Sequence, residues 1–235
     1  MADPTIDLTI AERVARLELR RPAEGNAFTA AMMGEVIAAV GRAGAACDIL
    51  VITAAGPDFS LGRDRKEGLG KLTPYEAFRL ITELNAALAG FPGITLSVVQ
   101  GRAFGFAVGL IMRSDLALAA DDARFALDEV KLGIPPMFIM AEILEHLSPK
   151  VAADIVLSSR EFGAAEAREI GVVSRVVAAA GLRTATDALV AELASRDPAV
   201  LRASKRYLGA VREVPRAARP AFALIEQARY AEGYR

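Results

Sequence analysis

Glu129 is the side chain best placed to move a proton. It lies in FALDEVKLGI, with Leu127, Val130, Leu132 and Ile134 as apolar neighbours. Such neighbours withdraw water from a carboxylate and raise its pKa, which suits a general base working near neutral pH. The plain alternative is a surface carboxylate beside Asp128, paired with Lys131. Upstream, the apolar run Thr95–Val99 meets glycines at 101, 105 and 109, and a second apolar run follows from Phe106 to Met112. A strand that turns on glycine into a helix leaves the first N–H groups of that helix without partners. With the helix dipole, those groups favour negative charge. Oxyanion donors and a carboxylate downstream are the minimum set for proton chemistry next to a carbonyl.

Strands and helices must hold these groups in place. Ile6–Ile10 and Ala15–Leu19 alternate polar and apolar residues around Glu12-Arg13 and predict a hairpin. After the loop RRPAEGNAF, Thr29 can cap a helix through about Ala46, with Met33, Val36, Ile37 and Val40 at helical spacing. Ile49–Thr53 is a β-branched strand leading into the turn-rich loop AAGPDFSLGRD. Residues 65–72 predict a mobile surface loop. Thr73-Pro74-Tyr75-Glu76 is a capping box with Pro at the first helical position, ahead of Phe78, Ile81, Leu84 and Leu88 on one side. Thr95–Val99 and Leu116–Ala119 predict buried strands. Beyond Gly133, Ile134-Pro135-Pro136 breaks the chain. Helices are then expected over Met137–Leu147, from Pro149 to about Leu157, and over Ala164–Ile170, with a last strand within Val172–Val177. Thr184–Ser195, Ala199–Val211 and residues 216–234 predict a helical tail, with Asp197 and Pro198 as cap and first residue of its second helix.

Bulk properties narrow the function. The 235 residues are 53% hydrophobic, enough for one large core. The 28 basic and 29 acidic residues nearly cancel and form no basic block, so neither nucleic acid nor an anionic membrane is expected as a partner. Cys47 is the only cysteine and His146 the only histidine, which argues against a disulfide, a metal centre or a serine-histidine triad. The start MADPTIDLTI lacks a signal pattern and no apolar run reaches membrane-spanning length, so a cytoplasmic location is expected.

Five segments, in order, resemble the crotonase family, also called the enoyl-CoA hydratase/isomerase family, over nearly the whole chain. RPAEGNAF is similar to its Arg-Pro-x-x-x-Asn-Ala-Leu loop, and GPDFSLGRD to its Phe-Ser-x-Gly-x-Asp loop. GRAFGFAVGL resembles the Gly-x-x-x-Gly-Gly-Gly segment, FALDEVKLGI the strand exit that carries the family glutamate, and SSREFGAAEAREIGVVSRVV a later Gly-Arg…Ala-x-Glu-Ala…Gly-Leu-Val segment. The resemblance implies an α/β fold, a spiral of repeated ββα units with a helical C-terminal region. Residues 1–183 would form the spiral core and 184–235 the oligomerisation region of a homotrimer or hexamer. It also implies an acyl-CoA thioester substrate, with coenzyme A as part of the substrate and no separate cofactor. Two backbone N–H groups would hold the thioester oxygen as an enolate-like anion, here those of Leu61 and Phe106, with Glu129 as acid/base. The loop Leu61, Gly62, Arg63, Asp64 would line the coenzyme A site with Gly105, Phe106 and Gly109, and Ala23, Glu24 and Gly25 would border the adenine. Arg20, Arg21, Arg63, Arg65 and Lys66 are solvated charges or neighbours of the coenzyme A phosphates.

Three departures shape the reading. Phe106 stands where the family has glycine, which would strain the turn or narrow the pocket. Hydratases carry a second glutamate at the position of Gly109, and only Glu129 is present here. The chain also ends soon after Gln227–Arg235. A single glutamate suits double-bond isomerisation of an enoyl-CoA. Hydration with one glutamate is the alternative, and a non-catalytic acyl-CoA-binding protein is an alternative of another class. An extended segment at 128–129 would point Asp128 and Glu129 to opposite sides. Asp115 and Asp64 are read as structural.

Overall fold

The computed structural model describes residues 4–70 and 72–233. Position 71 of the expected surface loop, the first three positions and the last two lie outside them. The chain opens with an antiparallel hairpin, β1 (Ile6–Ala11) and β2 (Val14–Leu19), whose tight turn places Glu12 at φ 52°. Helix α1 (Ala30–Ala46) follows, capped by the Thr29 hydroxyl accepting from Met32 N–H. Strand β3 (Ile49–Ala54) then pairs in parallel with β2. Helix α2 (Pro74–Ala89) starts in the expected capping box, with Thr73 and Glu76 satisfying each other's backbone N–H groups.

The next units repeat one plan. Strand β4 (Ile94–Val99) enters the main sheet, β5 (Arg102–Phe104) enters a second small sheet, and α3 (Phe106–Arg113) returns. Strand β6 (Leu116–Ala120) and β7 (Arg124–Ala126) do the same, followed by a 3-10 turn over Val130–Leu132 and α4 (Met137–His146). The unit before them has Ser60 in place of the second strand, bridged to Ala103 of β5. After α5 (Pro149–Ser158), strand β8 (Glu161–Gly163) closes the small sheet, in the order β5-β7-β8. Helix α6 (Ala164–Glu169) leads to β9 (Arg175–Val177), and the main sheet reads β1-β2-β3-β4-β6-β9. Every pairing in it beyond the hairpin is parallel. This is the expected spiral of strand-strand-helix units. β9 covers only the end of the expected Val172–Val177 strand, and the three-residue strands of the small sheet had no counterpart in the sequence reading.

Alternate strand residues face two cores. Leu50 and Ile52 join α1, α2 and α3 on the spiral side, while Ile49, Val51, Leu96, Val98 and Leu118 meet α7 (Leu182–Ala194) on the other. Leu189 and Val190 of the predicted tail are therefore buried by the sheet. The tail continues as α8 (Pro198–Ala210), capped by Asp197, and α9 (Arg219–Gly233). Two ion clusters pin α8 to the body. Asp48 accepts from Arg13 at 2.5 Å and pairs with Arg202, and Asp115 accepts from Lys205 at 2.8 Å and from Thr95 N–H at 2.8 Å. Asp115 is thus structural, as expected. Among the described residues no helix is long and apolar enough to cross a membrane.

Candidate active site

The site is built where β5 turns into α3. Gly105 carries the turn at φ +52°, so the left-handed conformation falls on glycine and not on Phe106. The turn is therefore unstrained, and the Phe106 ring packs edge-on against Phe28 with centroids 5.2 Å apart. Gly105 N–H donates to Ala126 O at 2.8 Å. Phe106 N–H, first in the helix, has no acceptor among the described residues. It is an open donor at the positive end of a helix dipole.

The loop from Phe59 to Asp64 is held against this donor by backbone bonds. Phe59 N–H donates to Gln100 O at 3.0 Å, Ser60 N–H to Arg102 O at 3.1 Å, and Phe104 N–H to Ser60 O at 2.9 Å. Fully buried Phe59 anchors the loop from below; burial of such a ring contributes about 1.5–3 kcal/mol. Gly62 faces α3 directly. A Cβ there would stand 2.8 Å from Phe104 O and 3.3 Å from Phe106 N. Leu61 N–H is engaged: it donates to Gly25 O at 2.9 Å. Gly25 ends the 3-10 turn Pro22–Glu24, on which Ala23 and Glu24 are exposed.

Asn26 holds these pieces together, and the sequence reading gave it no role. Its amide donates to Ala55 O at 2.8 Å and Asp58 O at 2.9 Å, and its oxygen accepts from Arg21 N–H at 2.8 Å. It is fully buried at φ 52°, a conformation that Asn tolerates better than most residues. The available signal was an Asn directly after Gly in a Pro-containing loop.

Most charges of the loop are used internally. Arg63 donates to Phe28 O at 3.1 Å and lies 3.6 Å from Glu67, and burial pushes its pKa down. Burial would raise the Asp64 carboxyl, but hydrogen bonds from Arg21 and from Lys66 N–H hold it below the usual range. Arg20 lies 3.5 Å from Glu18, and Arg65 2.9 Å from Asp128. Of the five basic residues singled out, only the Lys66 ammonium has no acidic partner among the described residues.

Glu129 closes the site. Residues 128–129 form a turn into Val130–Leu132, not an extended strand, so the expectation that Asp128 and Glu129 diverge is corrected. Both carboxylates reach Gly105: a Cβ there would lie 2.8 Å from Glu129 Oε1 and 3.4 Å from Asp128 Oδ1. Glu129 forms no ion pair with Lys131. Its Oε2 and Asp128 Oδ1 are buried without a hydrogen-bond partner among the described residues. Of the four apolar neighbours only Leu127 is buried; Val130, Leu132 and Ile134 are exposed. Burial raises the Glu129 pKa above the usual range; its own N–H opposes, Asp128 adds to the rise and Arg65 opposes it.

A raised folded-state pKa means that the ionised carboxylate opposes folding. The stabilisation from the protonated form is fully present below the unfolded-state pKa and is lost as pH rises through the folded one. Glu129→Gln is therefore expected to melt above wild type at neutral pH, with the gap closing as pH falls. Calorimetry from acid to neutral pH checks this, and a gap that widens on acidification refutes it.

Gly109 points elsewhere. A Cβ there would lie 3.6 Å from both Arg113 Nη1 and Ile139 Cδ1, in ordinary contact with α4. Arg113 pairs with Glu142, and burial lowers its pKa to about 10. At this far end of α3, a groove of about 1530 Å³ runs between α2, α4 and α8, remote from Gly105. Among the described residues no group of three His, Cys, Asp or Glu could hold a metal ion.

Known proteins are similar to this chain. The family model described as enoyl-CoA hydratase/isomerase matches residues 9–224. A probable enoyl-CoA hydratase of Mycobacterium bovis, echA8, is 33% identical over 198 residues, covering 83% of this chain and 77% of that one. A hydroxycinnamoyl-CoA hydratase-lyase of Pseudomonas fluorescens is 28% identical over 223 residues, covering 89% and 80%. A Thermobifida fusca YX chain assigned as an enoyl-CoA hydratase and solved in complex with CoA superposes with TM-score 0.85 at 32% identity, covering 97% of this chain and 93% of that one.

Proposed function

Because the chain belongs to the enoyl-CoA hydratase/isomerase family, we propose that it is an acyl-CoA enzyme that holds a thioester enolate at the start of α3 and moves protons with Glu129. One observation carries the reading: the Glu129 carboxylate packs against Gly105, the residue before the open Phe106 N–H. In double-bond isomerisation, Glu129 takes a proton from C2 of a 3-enoyl thioester. The electrons move to the thioester oxygen, where Phe106 N–H and the Leu61 N–H released from Gly25 stabilise the charge. Glu129 then returns the proton at C4, leaving the 2-enoyl thioester. Coenzyme A enters as part of the substrate, along Leu61–Asp64 and the exposed Ala23 and Glu24, with Lys66, which has no acidic partner among the described residues, as a cation for a phosphate.

Hydration is the second reading, favoured by one observation: Asp128 stands beside Glu129 at the same glycine. A pure acyl-CoA binder fits less well, because a buried carboxylate oxygen without a partner opposes folding and serves a binder in no way. Supplying 2-enoyl-CoA and 3-enoyl-CoA and following hydration and bond migration separates the three. Turnover of neither, with binding of both, overturns the enzyme reading.

The assembly is proposed as a trimer or a pair of trimers, with the contact surface on α8 and α9. Neither helix has a buried residue, and Leu208, Leu224 and Ile225 are 64%, 73% and 51% exposed. Exposed apolar patches of that kind mark interfaces. Light scattering at micromolar concentration is expected to give three or six times the chain mass. A stable monomer overturns this.

A further inference from the structure

We infer that Asp128 is a second catalytic carboxylate, the partner of Glu129 in adding water across the double bond of a 2-enoyl-CoA. The inference rests on the acyl-CoA reading above, in its hydration form, and gives that reaction its second catalytic residue.

The geometry comes first. Asp128 Oδ1 and Glu129 Oε1 flank the point where a Gly105 Cβ would be, at 3.4 and 2.8 Å. Both carboxylates therefore lie against the Gly105 backbone, one residue before the open Phe106 N–H. The second observation is a deficit. Asp128 Oδ1 and Glu129 Oε2 are buried acceptors with no donor among the described residues. Buried acceptors are normally satisfied by protein or by water, and a water donating to both carboxylates supplies the missing bonds. A water so held is the nucleophile that hydration needs.

Asp128 could instead be a structural anchor for Arg65. That pair meets at 2.9 Å through Oδ2, and the Arg65 side chain is 45% exposed. Exposed pairs of this kind add little to stability, and this one leaves Oδ1 unused. The other nearby acids are occupied or misplaced. Glu142 pairs with Arg113, and a side chain at position 109 would run toward Ile139. The three atoms nearest a Gly105 Cβ all belong to Glu129 and Asp128.

The step balances with one carboxyl protonated and the other ionised. Asp128 is the base: its carboxylate takes a proton from water as the water oxygen bonds to C3. The C2=C3 electrons move to the thioester oxygen. Protonated Glu129 delivers its proton to C2 and the enolate collapses to the thioester. The product carries hydroxyl at C3 and hydrogen at C2, and the two carboxyls have exchanged protonation states. A later proton exchange between them or with solvent resets the site.

The test uses the full-length protein with a 2-enoyl-CoA, and a saturated acyl-CoA in D2O for C2-proton exchange. Asp128→Asn is expected to lower kcat for hydration on the order of 100-fold or more, while Glu129-dependent C2 exchange continues. Arg65→Gln removes the ion pair and keeps the carboxylate, so its kcat for hydration should stay near wild type. Wild-type kcat/KM for hydration should fall on both the acid and the alkaline side, as a base-plus-acid pair requires; this needs no variant to fold. Equal losses in Asp128→Asn and Arg65→Gln, loss of C2 exchange with Asp128→Asn, or a one-sided pH profile each overturn the inference. Bond migration without any hydration in wild type overturns it too and leaves the acyl-CoA reading standing. Absence of both C2 exchange and turnover in wild type removes the acyl-CoA reading itself.

Discussion

Glu129→Gln is expected to lower enoyl-CoA turnover by about two to four orders of magnitude, the usual effect of losing a positioned general base. Acyl-CoA binding should persist, because the groups proposed to hold the thioester are backbone N–H groups at Leu61 and Phe106, which the substitution leaves in place. Glutamine keeps the length and shape of the side chain beside Gly105, so the turn at 128–133 has no steric reason to move. The loss should therefore fall on kcat more than on KM. Stopped or steady-state assays with both enoyl isomers, beside calorimetric titration of an acyl-CoA, measure the two quantities separately. Wild-type turnover in Glu129→Gln on every enoyl-CoA tested sinks the assignment of the base.

Gly62→Ala should lose about 100- to 1000-fold in kcat, the range seen when one oxyanion donor is removed. The new Cβ would lie 3.3 Å from Phe106 N and 2.8 Å from Phe104 O, crowding the donor proposed to hold the thioester oxygen. Gly62 also has φ +85°, so alanine there adds backbone strain of about 1–2 kcal/mol. Gly68→Ala is the control. It adds alanine at φ +63° in the same loop region with nothing within 4 Å of its Cβ. Both variants should melt below wild type, but only Gly62→Ala should be inactive. Equal activity in the two variants would assign the loss to strain and remove the donor from the mechanism.

The sequence carried the main sheet and the larger helices because their signals are local. Thr29, Thr73 and Asp197 cap α1, α2 and α8 as their types and spacing predict, and Gly105 hands over to Phe106 where the apolar run begins. The strands β5, β7 and β8 escaped because three residues hold too little alternation to read. Their pairing is decided by where β4 and β6 deliver the chain. Glu129 was legible as an acid in apolar company. Its partner was not, because a face assignment needs the local conformation. The strand assumption sent Asp128 away, whereas the turn brings it back to Gly105. Arg63 shows the same limit: its type suggested a phosphate, and packing against α1 gave its guanidinium to Phe28 O and Met33 Sδ. Partners distant in sequence fix such assignments.

The bond from Leu61 N–H to Gly25 O bears on selectivity between ground and transition state. A neutral thioester arriving at this donor exchanges one carbonyl acceptor for another of similar strength, so the exchange is close to isoenergetic. An enolate oxygen is a stronger, charge-assisted acceptor, and only then does the exchange become favourable. In its proposed role the donor would ignore the resting substrate and reward the developing anion, the differential that raises kcat without tightening the ground state. A donor left open would have bound both. If Leu61 N–H is that donor, the Gly25 carbonyl is a built-in competitor that sets the threshold an incoming oxygen must exceed.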